Sequence, residues 1–285
     1  MTPAGRSDRW QRPATVGYVV CDVDGTLVGP EAVARPAVAD AVECLQSAGV
    51  RVGYATGRMR DAIAPLHEQL GGHGPHLPFN GAEVRLDGRT IASWPLPAGA
   101  VDRLLSLVQH RDDAYLELYT DSGFVASALD ERAAPHWEIL GARPRALITD
   151  AAELGTEPVL KATFTVFEPN AVTELIETVG SLGLVAGTAG SPLTPGLTYI
   201  NATHPEADKG RALTHAADHL GIPLSQVVAV GDAPNDLSMF EVVGTAIAMG
   251  QADAAIHAAA HLAVPPVDQD GVVVALDTVG SWLAT

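Results

Sequence analysis

The sequence predicts an α/β protein: a parallel sheet covered on both faces by helices, with a separate α+β domain inserted into it. Three observations point there. Short apolar runs alternate with helical stretches, several of these runs end directly in polar clusters, and the middle of the chain changes to strict two-residue alternation. Strands alternating with helices imply a parallel sheet. Strict alternation implies a half-exposed sheet, most often antiparallel.

The first firm element is Gly17–Cys21 (GYVVC), a continuous apolar run read as a strand buried on both faces. It stops at Asp22-Val23-Asp24-Gly25-Thr26. A helix is expected over Pro36–Ala48, with Ala37, Val38, Ala41, Val42 and Leu45 as its apolar stripe and Gly49 as its stop. Val50–Ala55 is the next strand and ends in Thr56-Gly57-Arg58; a helix over Asp61–Leu70 follows, then Leu77–Phe79 leading to Asn80-Gly81. Toward the other end, Lys209–Leu220 reads as a helix closed by Gly221, and Gln226–Val230 as a strand that stops at Gly231-Asp232. Ala246–Met249 and Leu262–Val264 are further short apolar runs. In parallel sheets ligands bind beyond the carboxyl ends of the strands, where these polar clusters fall.

The middle reads differently. Glu83–Trp94 resembles a hairpin around Asp87-Gly88, and Val101–Gln109 and Val172–Leu182 read as helices. Tyr115–Thr120 and Leu160–Phe167 alternate, placing Lys161, Thr163 and Thr165 on one face. The inserted domain is therefore set at 83–190, with the core at 16–82 and 191–285 and a return hinge at Gly190–Gly196.

A chain of 285 residues fits about two domains. Its hydrophobic content of 47% argues against disorder as a whole. Residues 1–15 are polar, lack the apolar segment of a signal peptide and read as a disordered extension. A formal charge of −17 repels nucleic acid and anionic membrane, so neither is an expected partner. A site for an anionic ligand would have to overcome that field locally. Cys21 and Cys44 read as buried free thiols without metal-binding spacing. With no run near the ~20 residues of a membrane span, a cytoplasmic protein is expected.

Asp22 and Asp24 point the same way while the chain stays extended. Two carboxylates on one side repel, and they make sense around a divalent cation or as nucleophile and acid/base. The ordinary alternative is an Asp-rich turn. Asp232, Asn235 and Asp236 lie in Gly231-Asp232-Ala233-Pro234-Asn235-Asp236, where helix capping is the ordinary role. Thr56 offers a hydroxyl and Gly57 a close backbone N–H. Lys209 opens a helix, an unfavourable place for a cation unless an anion faces it. His215/His219 and His257/His261 have i, i+4 spacing, but without a third ligand they read as ordinary histidines.

Together these residues resemble the haloacid dehalogenase-like phosphohydrolases, more closely the Cof-type sugar phosphatase branch. The motifs stand as DVDGT at Asp22–Thr26, Ala55-Thr56-Gly57-Arg58, Asp208-Lys209-Gly210, and GDAPND at Gly231–Asp236. Phe79-Asn80-Gly81-Ala82 and Asp270-Gly271-Val272 fit the same branch. The resemblance implies a Rossmann-like (HAD-like) core with an inserted α+β cap that closes over the leaving group. It implies Asp22 as covalent nucleophile and Asp24 as acid and then base. Mg2+ would be held by Asp22, the backbone carbonyl of Asp24, Asp232, and Asp236 directly or through water. Thr56, Gly57, Lys209 and Asn235 would hold the phosphoryl oxygens. Asn80, Tyr119, Asp121, Lys161 and Thr163 are candidates for substrate choice, the substrate being a small phosphorylated metabolite such as a sugar phosphate. The competing readings are a phosphomutase using the same aspartyl-phosphate and a non-catalytic phosphometabolite-binding protein. Intact Asp22, Asp24, Lys209 and Asp232 argue against the second.

Overall fold

The structure is a computed structural model describing residues 2–3, 10–31, 33–189, 194 and 196–283. In chain order the strands are β1 (Thr2–Pro3), β2 (Tyr18–Asp22), β3 (Arg51–Ala55), β4 (Glu83–Leu86), β5 (Arg89–Ser93), β6 (Ala114–Thr120), β7 (Gly123–Ala126), β8 (Lys161–Val166), β9 (Val185–Ala189), β10 (Thr198–Thr203), β11 (Val227–Gly231), β12 (Thr245–Ala248) and β13 (Leu262–Ala263). The helices are α1 (Pro36–Ser47), α2 (Arg60–Leu70), α3 (Ala100–Val108), α4 (Ala134–Leu140), α5 (Ala171–Ser181), α6 (Lys209–Leu220), α7 (Leu237–Val242), α8 (Ala254–Ala259) and α9 (Gly271–Leu283). Two compact units divide the chain. One takes the residues up to Arg58, Ile63–Ala92 and Asp208 onward; the other takes Met59–Ala62 and Ser93–Ala207.

In the first unit six strands are ordered β1-β13-β12-β11-β2-β3, parallel except for the β1–β13 pair. Val19, Cys21, Val52, Val228, Val230 and Ile247 face the stripes of α1 (Val38, Ala41, Val42, Leu45) and α9 (Val272, Ala275, Leu276, Val279). The alternate residues Tyr18, Val20, Val227, Ala229 and Ala246 are buried too. This is why these strands read as continuous apolar runs rather than alternating ones. Each fully buried aliphatic side chain here contributes about 1.5–3 kcal/mol relative to exposure. The pairings Cys21↔Tyr54 and Val230↔Cys21 bring the carboxyl ends of β2, β3 and β11 side by side. Asp22, Thr56 and Asp232 leave the sheet there.

The second unit holds a five-stranded antiparallel sheet, ordered β7-β6-β8-β10-β9. Leu116, Leu118, Ala162, Phe164 and Ile200 pack against Leu104 and Leu105 of α3 and Leu175 and Val179 of α5. Antiparallel pairing matches the expectation, but the half-exposed face does not. Glu117, Tyr119, Lys161, Thr163 and Thr165 are all buried. Glu117, Tyr119 and Thr163 find polar partners within this unit. Glu117 accepts from Tyr115, Tyr119 and Trp137 and bonds His136, and Thr163 donates to Asn201.

Other expectations are corrected in detail. The insert was set at 83–190, whereas the hairpin β4–β5 lies in the first unit up to Ala92 and β10 pairs with β8 and β9 in the second. The two β4–β5 strands read as part of the insert because hairpin alternation carries no label of the sheet it accompanies. Of the extension expected to be disordered at 1–15, residues 1 and 4–9 lie outside the described residues. Thr2–Pro3 pair with β13, and Trp10 donates to Thr245 Oγ1 at 3.1 Å. The hinge expected at Gly190–Gly196 lies, apart from Thr194 and Gly196, outside the described residues. Cys21 is buried, but Cys44 is exposed, one residue before buried Leu45 and so about 100° round α1 from it. His261 lies beyond α8 and accepts the Ala246 N–H at Nδ1. Among the described residues no helix is long and apolar enough to cross a membrane.

Gly53 on edge strand β3 leaves no room for a side chain, since a Cβ there would collide with the Pro75 carbonyl that accepts from Tyr18 Oη at 2.8 Å. Gly53→Ala is therefore expected to lower stability by about 1–3 kcal/mol, read as the shift in denaturant midpoint. An unchanged midpoint would show that β3 can move away from the 75 segment.

Candidate active site

Strand β2 ends at Asp22, which is 4% exposed. The turn after it needs Gly25 at φ +85°, and a Cβ there would collide with the Asp232 carboxylate. Glycine is required both for the backbone conformation and for this close approach. Asp232 follows β11, and a 3-10 turn over Pro234–Asp236 returns the chain so that Asp236 Oδ2 accepts the N–H groups of Asp232 and Ala233, each at 3.0 Å. Helix α6 starts at Lys209, whose N-cap Asp208 accepts from the Arg211 N–H.

Lys209 is 1% exposed, and its Nζ donates to Asp22 Oδ1 at 2.5 Å and Asp236 Oδ1 at 2.6 Å. The unfavourable start of α6 is thus answered by two carboxylates. Burial works against the ammonium, but the charges of Asp22 and Asp236 outweigh it and hold Lys209 protonated. For Asp22, burial first and then the Asp236 charge push the carboxyl above the ordinary range, with Lys209 opposing them. Asp232 is raised too, by burial first, while the bond from Thr26 opposes it. Thr26 Oγ1 donates to Asp232 Oδ1 at 2.9 Å.

Asp22, Asp232 and Asp236 each offer a carboxylate oxygen within 4.8 Å of the others. Three carboxylates against one ammonium leave two negative charges, the charge of one divalent cation. The donors are all oxygen, which suits a hard cation such as Mg2+. The residues present therefore fit that ion. Asp236 differs in being fully buried and in holding the Lys209 ammonium on one oxygen and two backbone N–H groups on the other.

Asp24 stands apart from this acidic group. Arg58 grips its carboxylate through Nε at 3.0 Å and Nη2 at 2.5 Å, with the Asp24 side chain 58% exposed. Thr56 is buried, and its Oγ1 accepts the Arg58 N–H at 3.1 Å. Asn80, expected among residues for substrate choice, sits at φ +57° and accepts from Asn235 Nδ2 at 3.0 Å, beside Gly57. It belongs to the same loop cluster as Thr56, Gly57 and Asn235. Tyr119, Lys161 and Thr163 lie on the polar sheet face of the second unit, with Lys161 Nζ 4.4 Å over the Tyr119 ring. Asp121 is exposed in the turn after β6. Sequence reasoning missed Gln251, whose Nε2 donates to the Gly25 carbonyl at 2.5 Å and to Asp232 Oδ2 at 3.2 Å. Nothing in the sequence signals it, because it lies 19 residues after Asp232 on another loop.

A family model described as haloacid dehalogenase-like hydrolase matches residues 19–276. YwtE of Bacillus subtilis (strain 168), a 5-amino-6-(5-phospho-D-ribitylamino)uracil phosphatase, is 28% identical, covering 91% of this chain and 96% of the relative. YbhA of Escherichia coli (strain K12), a pyridoxal phosphate phosphatase, is 27% identical, covering 90% and 96%. A haloacid dehalogenase-like hydrolase from Bacteroides thetaiotaomicron has the same fold, with a TM-score of 0.80 at 23% identity over 93% of this chain and 100% of that one.

Lys209→Met would leave two buried carboxylates without their cation, and is expected to cost about 3–5 kcal/mol in denaturant unfolding. Arg58→Ala breaks only an exposed pair and should cost no more than ~1 kcal/mol. Equal losses in the two variants would overturn this ranking of the two pairs.

Proposed function

The chain is a phosphoric monoester hydrolase of the haloacid dehalogenase-like family, of the Cof type, and on that premise we propose that it hydrolyses a small phosphorylated metabolite through an aspartyl-phosphate on Asp22. The observation that carries this reading is the buried Lys209 ammonium bridging Asp22 and Asp236, with Asp232 beside them.

In the first step an Asp22 oxygen attacks phosphorus while the bond from phosphorus to the ester oxygen breaks, and Asp24 gives its proton to that leaving oxygen. In the second, a water attacks the same phosphorus, Asp24 takes the water's proton, and the bond to Asp22 breaks. Free phosphate leaves and both carboxyls are restored. Both Asp24 oxygens face Arg58 in this structure, so proton delivery requires that pair to part. Thr56, Gly57, Lys209 and Asn235 are assigned to the phosphoryl oxygens, and Asn80 joins them through Asn235. Asp22, Asp232 and the Asp24 carbonyl would hold Mg2+, with Asp236, bonded to the Lys209 ammonium and two backbone N–H groups, contributing directly or through water. Bound there, the cation supplies neutralisation of charge on the transferring phosphoryl group.

Substrate choice is assigned to the second unit, to Tyr119, Lys161 and Thr163 and, in the neighbouring turn, Asp121. Burial lowers the Lys161 pKa to about 8, with the Glu117 charge opposing. The two relatives are named for phosphate esters built on nitrogen heterocycles, and such esters belong in a screen beside sugar phosphates.

That screen measures phosphate release with Mg2+ present. Asp22→Asn is expected to reduce turnover at least about a thousandfold while circular dichroism stays native, and excess chelator should stop the wild-type reaction until Mg2+ is added back. Wild-type rates in either case would overturn the nucleophile or the metal assignment respectively. For the preferred ester, Lys161→Met should raise KM with kcat changed only a few-fold; an unchanged KM would remove Lys161 from substrate choice.

A further inference from the structure

The proposed cation ligand Asp232 is held on both of its oxygens. Thr26 Oγ1 donates to Oδ1 at 2.9 Å and Gln251 Nε2 to Oδ2 at 3.2 Å. The same Nε2 donates to the Gly25 carbonyl at 2.5 Å, in the turn that carries Asp24. On its other side, Gln251 Oε1 accepts the Val267 N–H at 3.0 Å. Two acceptors on one side of the amide and one donor on the other fix its orientation without ambiguity. One side chain thus ties together the loops after β2, β11, β12 and β13.

We propose that Gln251 is a positioning residue for the cation site, setting the Asp232 carboxylate and the Gly25–Asp24 turn at the spacing that a divalent ion requires. This rests on the reading of Asp232 as a ligand. The reason is physical. Asp232 approaches Gly25 so closely that no Cβ fits between them, and the region carries two surplus negative charges. Without an ion, repulsion among the acids favours their separation. A neutral donor reaching Asp232 from a third loop holds the carboxylate in place without neutralising it, so its attraction for a cation is kept. Partners of this kind, hydrogen-bonded to metal ligands, typically govern 10–100-fold of metal affinity. Gln251 is itself exposed, so replacing it removes these bonds without opening the core.

The test is Mn2+ binding to the whole chain, without substrate, followed by the paramagnetic resonance of the free ion. Wild type, Asp232→Asn and Gln251→Met are compared. Methionine keeps the length of the side chain and loses both hydrogen-bonding functions. Gln251→Met is expected to bind Mn2+ about tenfold more weakly at an unchanged melting temperature. Its phosphate release should return to the wild-type kcat at saturating Mg2+, with only the half-saturating Mg2+ concentration raised. Wild-type Mn2+ affinity in Gln251→Met, or a kcat that excess Mg2+ does not restore, would overturn the proposal. If Asp232→Asn binds Mn2+ as wild type does, the ligand assignment itself fails first, and the positioning role with it. Should Gln251→Met melt early, Gln251→Asn, which keeps the amide but shortens its reach, takes its place with the same expected loss.

Discussion

A lysine ammonium shut away from water between two carboxylates is the contact on which the first unit's organisation depends. Lys209 draws together the start of α6, the end of β2 and the 3-10 turn after β11. An isolated buried charge is costly by several kcal/mol, so each of the three groups is tolerable only while the others hold position. That mutual dependence fixes the place of Asp22, the proposed nucleophile, more firmly than apolar packing alone, which is not directional. It also leaves the balance uneven, since one ammonium faces the three acids Asp22, Asp232 and Asp236.

The second unit solves a similar problem in the opposite way. Glu117 is fully buried, and burial works to raise its pKa, but bonds from His136, Tyr115 and Tyr119 outweigh burial and hold it below the ordinary glutamate range. Trp137 adds another donor. Neutral and imidazole donors surround that carboxylate, so it fixes the positions of its neighbours. The three acids around Lys209 face a single positive charge, and Asp22 and Asp232 are held above the ordinary carboxylate range. Completely satisfied buried polar groups build structure, and incompletely balanced ones mark where a ligand belongs.

The exposed pair of Asp24 with Arg58 belongs to neither class. It is open to water on the Asp24 side and therefore weak. A weak partner suits the role proposed for Asp24, giving and taking a proton in successive steps, because a strong one would hold it in one state throughout. Rigid placement of Asp22 and loose placement of Asp24 match the two roles assigned to them.

Sequence alone determined the layered core, because strands buried on both faces read as continuous apolar runs, as residues 18–21 of β2 and 227–230 of β11 do. Taken singly, Asp22, Asp24, Thr56, Lys209, Asp232 and Asp236 each had an ordinary structural reading, and only their joint motifs marked them as candidates; the fold brings the Asp22, Asp232 and Asp236 carboxylates within 4.8 Å of one another. The edge of the inserted domain was not legible, because pairing partners such as Tyr199 and Thr165 are distant in the chain and β10 carries no apolar run. Nor was burial of the polar sheet face, which depends on His136 and Trp137 arriving from α4. Only the tertiary structure decided that Thr26 and Gln251 reach Asp232 from two different loops, and that Arg58 holds Asp24. Hydrophobic period is a local property that a sequence states directly, whereas the partner of a polar side chain is chosen by whichever loop the fold brings within about 3 Å of it.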